Sequence, residues 1–283
     1  MTCHAAPSRR HRMAGFTLVE AVIVIVITGI LAAVVAILIR APVQGYFDSV
    51  RRAELTDTAD VALRRMTRDV RLALPNSLRV TTVGGVSYIE FIMTTAGGRY
   101  RDPTDGSTAG NFLSFNNTAS LSFDVHGPLP PMAVGDFIVV YNLGPGYAPA
   151  DAYTGGNRAT IASITGNTVG LAANPFATQS PPLSSPNGRF QVVPASTRAV
   201  SYSCPTATEG SLTRLWNYGF FAAQPTPPVG GSQALLAHGG ATCAVSYAPS
   251  AGGRHGLLEV QLTLTSGGET VTLAHQIRVD NSP

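Results

Sequence analysis

The chain has 283 residues, 45% of them hydrophobic, with 29 glycines and 20 prolines, ample for a folded core. It contains no lysine, so all 19 basic residues are arginine, and the formal charge of +3 resides in Arg9, Arg10 and Arg12. Past those three, arginine balances aspartate plus glutamate at 16 each, and a nucleic-acid partner gains no support.

An apolar run of 24 residues, Phe16–Ile39, follows the three arginines and holds one charge, Glu20. As a helix it reaches roughly 36 Å, enough to cross a bilayer. A carboxylate inside such a run costs on the order of 3 kcal/mol, so something must offset it. A secretory signal peptide has a shorter apolar core with its small-residue cleavage site behind it. Here the small residue, Gly15, comes first, and a plain membrane anchor gives no reason for Glu20. Basic residues concentrate before the span, with Arg40 alone soon after it, which places the N-terminus in the cytoplasm. Thr28, Gly29, Ala32, Ala33 and Ala36 give the span a small-residue face on which helices pack closely.

Pro42 and Gly45 predict a kink or short unwound turn. From Tyr46 to Leu74 an apolar stripe recurs at helical spacing: Leu55, Ala59, Ala62, Leu63, Met66, Val70 and Leu74. Arg64, Arg65, Arg68 and Arg71 oppose it, with Asp60–Arg64 and Arg65–Asp69 one turn apart. Interleaving with Asp57, Asp60 and Asp69 reads as a solvated face rather than a nucleic-acid or lipid patch. The helix is expected to end before Pro75-Asn76.

Beyond Leu78 the period changes. Short β-rich runs recur at Ser87–Thr94, Ser120–Val125, Asp136–Tyr141, Thr160–Ile164 and Phe190–Val193. Leu258, Val260, Leu262 and Leu264 alternate with polar residues, Ser266-Gly267-Gly268 turns the chain, and Val271, Leu273, Ile277 and Val279 resume the alternation. That is an antiparallel hairpin. Thr95–Asn111, Leu143–Asn157 and Pro175–Arg189 read as long loops. Cys3 lies ahead of Gly15, leaving Cys204 and Cys243, which read as one disulfide in an oxidising compartment. Half of a zinc site is the rival reading, with His238 as the one nearby ligand and no CxxC spacing to support it.

Gly15-Phe16-Thr17-Leu18-Val19-Glu20, with the span behind it, resembles a type IV prepilin leader and the first half of a pilin helix. The resemblance implies that a prepilin peptidase cuts between Gly15 and Phe16 and methylates the Phe16 amine. It also implies that Glu20 pairs with the Phe16 amine of a neighbouring subunit, an attraction strengthened by low dielectric. The expected fold is α+β: a long N-terminal helix, its first half transmembrane, packed on an antiparallel sheet. The segments are a leader (1–15), a membrane half (16–39), an amphipathic half (40–75) and a periplasmic β-rich domain (76–283).

Arg51-Arg52-Ala53-Glu54-Leu55, Leu63-Arg64-Arg65-Met66, Arg71-Leu72-Ala73-Leu74-Pro75-Asn76-Ser77, Arg189-Phe190-Gln191-Val192-Val193, Val200-Ser201-Tyr202-Ser203-Cys204 and His275-Gln276-Ile277-Arg278-Val279-Asp280 resemble the MshO group. These are minor pilin-like proteins of the mannose-sensitive haemagglutinin (MSHA) pilus. The implied partners are the prepilin peptidase, other pilin and minor pilin subunits, an inner-membrane assembly platform and the lipid bilayer. The implied location is the inner membrane as a single pass, then the filament. A minor pseudopilin of a type II secretion system shares the same leader and helix, and a membrane-anchored periplasmic enzyme or binding domain is the reading from another class.

His238, His255 and His275 are scattered and lack any HExxH, GxSxG, P-loop or GxGxxG context, so neither catalysis nor a cofactor is expected. His275 falls in the apolar phase of its strand and reads as a core histidine with a hydrogen-bond partner. Asp102-x-x-Asp105-Gly106, ending at Asn111, offers oxygens for calcium without EF-hand spacing, and a turn-rich loop explains it as well.

Overall fold

The computed structural model describes residues 15–103, 106, 110–207, 210–249 and 254–283. The chain divides between Val50 and Arg51 into two compact units, and all the strands belong to the second.

α1 spans Leu18–Arg71. Within the first unit, every side chain from 18 to 39 is exposed. It is the one helix among the described residues long and apolar enough to cross a membrane. The unwound turn expected at Pro42 and Gly45 is not formed: α1 is helical through both. Proline lacks one N–H, so the helix forfeits one bond, to the Leu38 carbonyl, and the remaining ladder holds.

Thirteen strands follow α1 among the described residues. The first eight are β1 (Arg79–Val83), β2 (Val86–Ile92), β3 (Ala96–Tyr100), β4 (Ser122–His126), β5 (Phe137–Val139), β6 (Arg158–Thr165), β7 (Thr168–Leu171) and β8 (Arg189–Val193). The last five are β9 (Ala199–Pro205), β10 (Gly210–Trp216), β11 (Ser232–Ala248), β12 (His255–Ser266) and β13 (Glu269–Asp280). One sheet runs β1-β2-β9-β10-β11-β12-β13, antiparallel throughout. Its β12–β13 turn is Gly267-Gly268, at φ +57° and +87°, the doubly positive geometry that suits a two-residue hairpin loop.

The C-terminal part of α1 lies on one face of this sheet. Ala59, Ala62, Leu63, Met66 and Val70 are buried there with Ile89, Phe91, Tyr202, Leu258, Val260 and Leu262. This is the α+β arrangement of a pilin-like helix and antiparallel sheet. One member of the expected solvated face departs from it. Asp69 is buried, not solvated: its Oδ2 accepts bonds from Tyr202 Oη (2.7 Å) and Arg214 Nε (2.6 Å). Arg214, also buried, lies 4.7 Å from the Trp216 ring centre.

The other six strands close a barrel, β3-β4-β7-β6-β5-β8, inserted between β2 and β9. It has a core of its own, built around Leu113, Phe123, Ile138, Phe176, Phe190 and Val192. β3 lies inside the stretch expected to be a long loop, Thr95–Asn111. Its Gly97 and Gly98 hide strand propensity, yet they are what lets β3 approach β8. A Cβ on Gly98 would stand 2.5 Å from the Phe190 ring, and one on Gly97 2.8 Å from Gln191 Oε1. The second expected loop has no strand until β6 begins at Arg158, but Ala150, Asp151, Ala152 and Asn157 are buried in it. The third contains two short 3-10 turns, Pro175–Thr178 and Pro186–Gly188.

Sheet and barrel meet at a third cluster: Leu74, Ile92, Val139, Tyr153, Val193 and Tyr218. Asn142 Nδ2 donates to the Pro75 carbonyl at 2.7 Å and Tyr153 Oη to the Ser77 carbonyl at 2.9 Å, so the chain just after α1 holds the barrel. Arg79 sits 3.8 Å over the Tyr153 ring, with Nε 2.8 Å from Glu90 Oε2. Glu90 is fully buried and also accepts from Tyr218 Oη at 2.9 Å. Burial raises the Glu90 pKa above the usual carboxylate range, more than Arg79 and Tyr218 lower it. Arg158 stacks 3.7 Å from the Phe220 ring centre, and burial, aided by Arg198, lowers its pKa to about 10.

Candidate functional site

The N-terminal motif is open. Gly15, Phe16 and Thr17 precede the helix without regular structure, nothing lies within 4 Å of a Cβ placed on Gly15, and Phe16 is 75% exposed. The Gly15–Phe16 peptide bond is therefore irregular, accessible backbone, the conformation a peptidase requires. Thr17 ends this stretch and caps the helix: its Oγ1 accepts from the Glu20 N–H at 3.3 Å, and its carbonyl from the Ala21 N–H at 3.1 Å.

Glu20 thus occupies the third helical position after a threonine cap, the spacing of a capping box. Its carboxylate lies in the first turn of α1, where the unpaired N–H groups favour negative charge. Reading Glu20 as a membrane charge in want of a partner missed this second role, although Thr17-x-x-Glu20 was visible in the sequence. The dipole covers only part of the cost of a carboxylate in hydrocarbon, because each such interaction is worth about 0.3–1 kcal/mol when exposed.

Around Glu20 the surface is apolar on every side. Leu18, Val22, Ile23, Val26, Ile27, Ile30 and Leu31 are all more than half exposed. A helix apolar all round belongs in lipid or among other helices. Thr28 fits either setting, since its Oγ1 donates to the Val24 carbonyl at 2.7 Å and leaves no polar group unpaired. A Cβ added to Gly29 would meet nothing within 4 Å, so its face is open to a neighbour. The arginines at 9, 10 and 12, and Cys3, lie outside the described residues.

Cys204 on β9 and Cys243 on β11 are bonded to each other, with Cα atoms 5.8 Å apart. Both are buried in the core beneath α1, and a bonded pair has no thiolate left for zinc. The bridge joins strands that are not neighbours, past the irregular start of β10. His238 is exposed on β11, and His255 is exposed with Nδ1 4.0 Å from Asp280. His275 does point inward, but it is half-buried, with Nδ1 3.3 Å from Thr67 Oγ1. The three do not converge. Of the calcium candidates, Asp105 lies outside the described residues, and Asp102 lines a ≈240 Å³ cavity with Arg99, Arg101 and His126. That is a basic setting, and no group of three metal-binding side chains occurs among the described residues.

Residues 10–36 match the family described as the prokaryotic N-terminal methylation motif. No curated protein and no solved structure matches the chain. The matched segment covers Gly15, Phe16, the Thr17 cap, Glu20 and most of the exposed apolar helix. The helix fits a single-pass membrane anchor, and the motif implies processing by a prepilin peptidase and association with other pilins. Motif, anchor and antiparallel sheet together support a type IV prepilin-like protein, pilin or pseudopilin.

Proposed function

We propose that the chain is a minor structural subunit of a type IV pilus of the MSHA kind, with no catalytic activity of its own. It is cut between Gly15 and Phe16, methylated on the Phe16 amine, and recruited through Glu20 into an assembling or initiating filament. The observation that carries this reading is one charged side chain, a single turn from an accessible backbone, on a stretch of α1 (18–39) otherwise apolar and exposed on every side. A neighbouring subunit's ammonium supplies what the helix dipole leaves uncompensated. The barrel inserted into the sheet adds bulk that a densely repeated subunit would have to accommodate, which favours few copies near the tip.

The MSHA assignment rests on the segments quoted above from α1, β8, β9 and β13. A minor pseudopilin of a type II secretion filament is the second reading, favoured by the same N-terminal motif, which both classes use. Neighbouring genes separate the two, through an adhesive major pilin or a secretin.

N-terminal sequencing of membrane-purified protein should begin at methylated Phe16. Gly15→Leu should leave the precursor whole. Glu20→Ala should be cut normally yet be recovered in sheared filaments at least about tenfold below wild type, roughly the 1.4 kcal/mol of one lost charge contact. Normal recovery of Glu20→Ala would overturn the pairing, and recovery in amounts equal to the major subunit would overturn the minor role.

A further inference from the structure

The sheet covers the second part of α1 unevenly. On β12 the inward residues Leu258, Val260, Leu262 and Leu264 are buried, but on its neighbour β13 the same phase is buried only at Ile277 and Val279 and half-buried at Val271, Leu273 and His275. β13 ends the sheet. It pairs with β12 along its whole length without a register shift, and among the described residues no backbone bond reaches its other side. No lysine, proline or bulge guards that edge. The opposite edge, β1, is short and flanked: Arg79 donates to the carbonyls of Phe221 and Ala222, and Thr81 to Gln224.

Beside β13 lies an open groove of ≈480 Å³ lined by Val61, Arg64, Thr67, Arg68 and His275. Val61 is 58% exposed there, and no carboxylate lines the groove among the described residues. Asp60 answers Arg64 at 2.9 Å, whereas Arg68 has no ion pair among the described residues.

We infer that the β13 edge is a docking site for an extended segment of another polypeptide, which adds as an eighth strand and carries a carboxylate on its inward face for Arg68. Strand addition satisfies the edge's row of N–H and C=O groups, while alternate side chains supply the selectivity. An apolar inward residue covers Val61 and Leu273, and the acid one pleat away meets Arg68. A second copy of β13 is a poor occupant. Its one inward acid, Glu269, is bonded to Arg52 at 2.7 Å, and the pairing would set one arginine-lined groove beside another.

The test uses the full chain in detergent micelles and a labelled peptide of alternating threonine and valine with aspartate at one central valine position. Binding is read by fluorescence anisotropy and by amide exchange. The expected result is saturable binding with exchange slowed in β13 and not in β1. Arg68→Glu, a change on an exposed helix position, should weaken binding at least about tenfold and transfer preference to the same peptide with lysine at the centre. Equal binding of the two peptides, unchanged exchange in β13, or a concentration-dependent dimer protecting β13 without peptide would each overturn the proposal.

Discussion

The sheet and the barrel solve the same problem in different ways. The sheet is open, with two edges and an apolar face packed against α1, and it is reinforced by the Cys204–Cys243 bond and the buried Asp69–Arg214 pair. The barrel closes on itself, so it has no edge and no need of a helix to cover its core. Its two ends also meet, because β3 pairs with β8 at Ala96↔Val192 and the Met93 N–H reaches the Arg198 carbonyl at 3.0 Å. A unit that begins and ends at one place can enter a sheet between neighbouring strands without disturbing their register, and β2 and β9 remain paired across the insertion. A pilin-like core can therefore carry an extra module at small cost to itself.

The strongest way to break that comparison is to damage each half alone. Asp69→Ala removes the carboxylate that Arg214 and Tyr202 share and leaves a guanidinium buried without its counter-charge. The expected loss is about 3–5 kcal/mol, felt in α1, β9 and β10. Phe123→Ala empties a fully buried ring site at the centre of the barrel and should cost a similar 3–5 kcal/mol, felt in β3–β8. Amide exchange resolved by segment distinguishes the two. If both changes melt sheet and barrel together, the shared cluster around Tyr153 and Tyr218 makes them one cooperative unit, and the division is one of topology only.

Asp69 also marks where sequence reading reached its limit. The α1 stripe from Leu55 to Leu74 was legible because its period lies in neighbouring residues. Asp69 sits beside Arg65 and Arg68 in the sequence, so it read as part of a solvated face; its partners Tyr202 and Arg214 lie on strands that only the fold brings near. β9 and β10 were missed for a related reason. β9 is buried on both faces at Ala199, Val200, Ser201 and Tyr202, so it shows no alternation. Four barrel strands, β4, β5, β6 and β8, left short signals, but β7 left none and closure also depended on a Gly-Gly strand that looked like a loop. The N-terminal site was the easiest part to read, since its glycine, cap, acid and span follow one another in the chain. Even there, the capping role of Thr17 shows only in its bond to the Glu20 N–H.

Reduction of the Cys204–Cys243 bond gives the next largest effect. Its cysteines are 39 residues apart, and opening that loop should cost up to about 4 kcal/mol by chain entropy. The loss should fall on the sheet, because the barrel strands lie outside the bridged segment. Thermal melts with and without reductant, followed by segment-resolved exchange, would show it. An equal loss in β3–β8 would mean that the barrel borrows its stability from the sheet.

Alkaline pH probes both halves at once. Tyr100 in the barrel is raised to about 12, chiefly by burial, and Tyr202 in the sheet is raised further by burial and by Asp69. Tyr153 and Tyr218 at the junction are raised by burial and by Glu90. A folded tyrosine that keeps its proton while the unfolded one loses it contributes stability that is whole below pH 10 and declines as pH rises toward the folded pKa. At pH 11 the Tyr100 share of that loss is on the order of 1 kcal/mol. The junction should open first, since two of the four tyrosines lie there. Denaturant midpoints between pH 9 and pH 11, with phenolate absorbance as the probe, test the order; a flat profile would contradict the burial that sets all four.

The smallest expected effect serves as the control for the largest. Arg64–Asp60 is an ion pair within α1 at 2.9 Å and Arg214–Asp69 one from β10 to α1 at 2.6 Å, but the Arg64 side chain is 71% exposed where that of Arg214 is 6%. Removing Arg64 leaves the Asp60 carboxylate, whose side chain is 31% exposed and reached by water, so no charge is stranded, and salt screens what attraction there is. Arg64→Ala should therefore move stability by no more than about 0.5 kcal/mol, and the shift should vanish at high salt. Denaturant melts of Arg64→Ala and Asp69→Ala in parallel, at low and high salt, put burial itself to the test. A loss for Arg64→Ala as large as that for Asp69→Ala would mean that helix charge, rather than desolvation, decides how firmly α1 is held to its sheet.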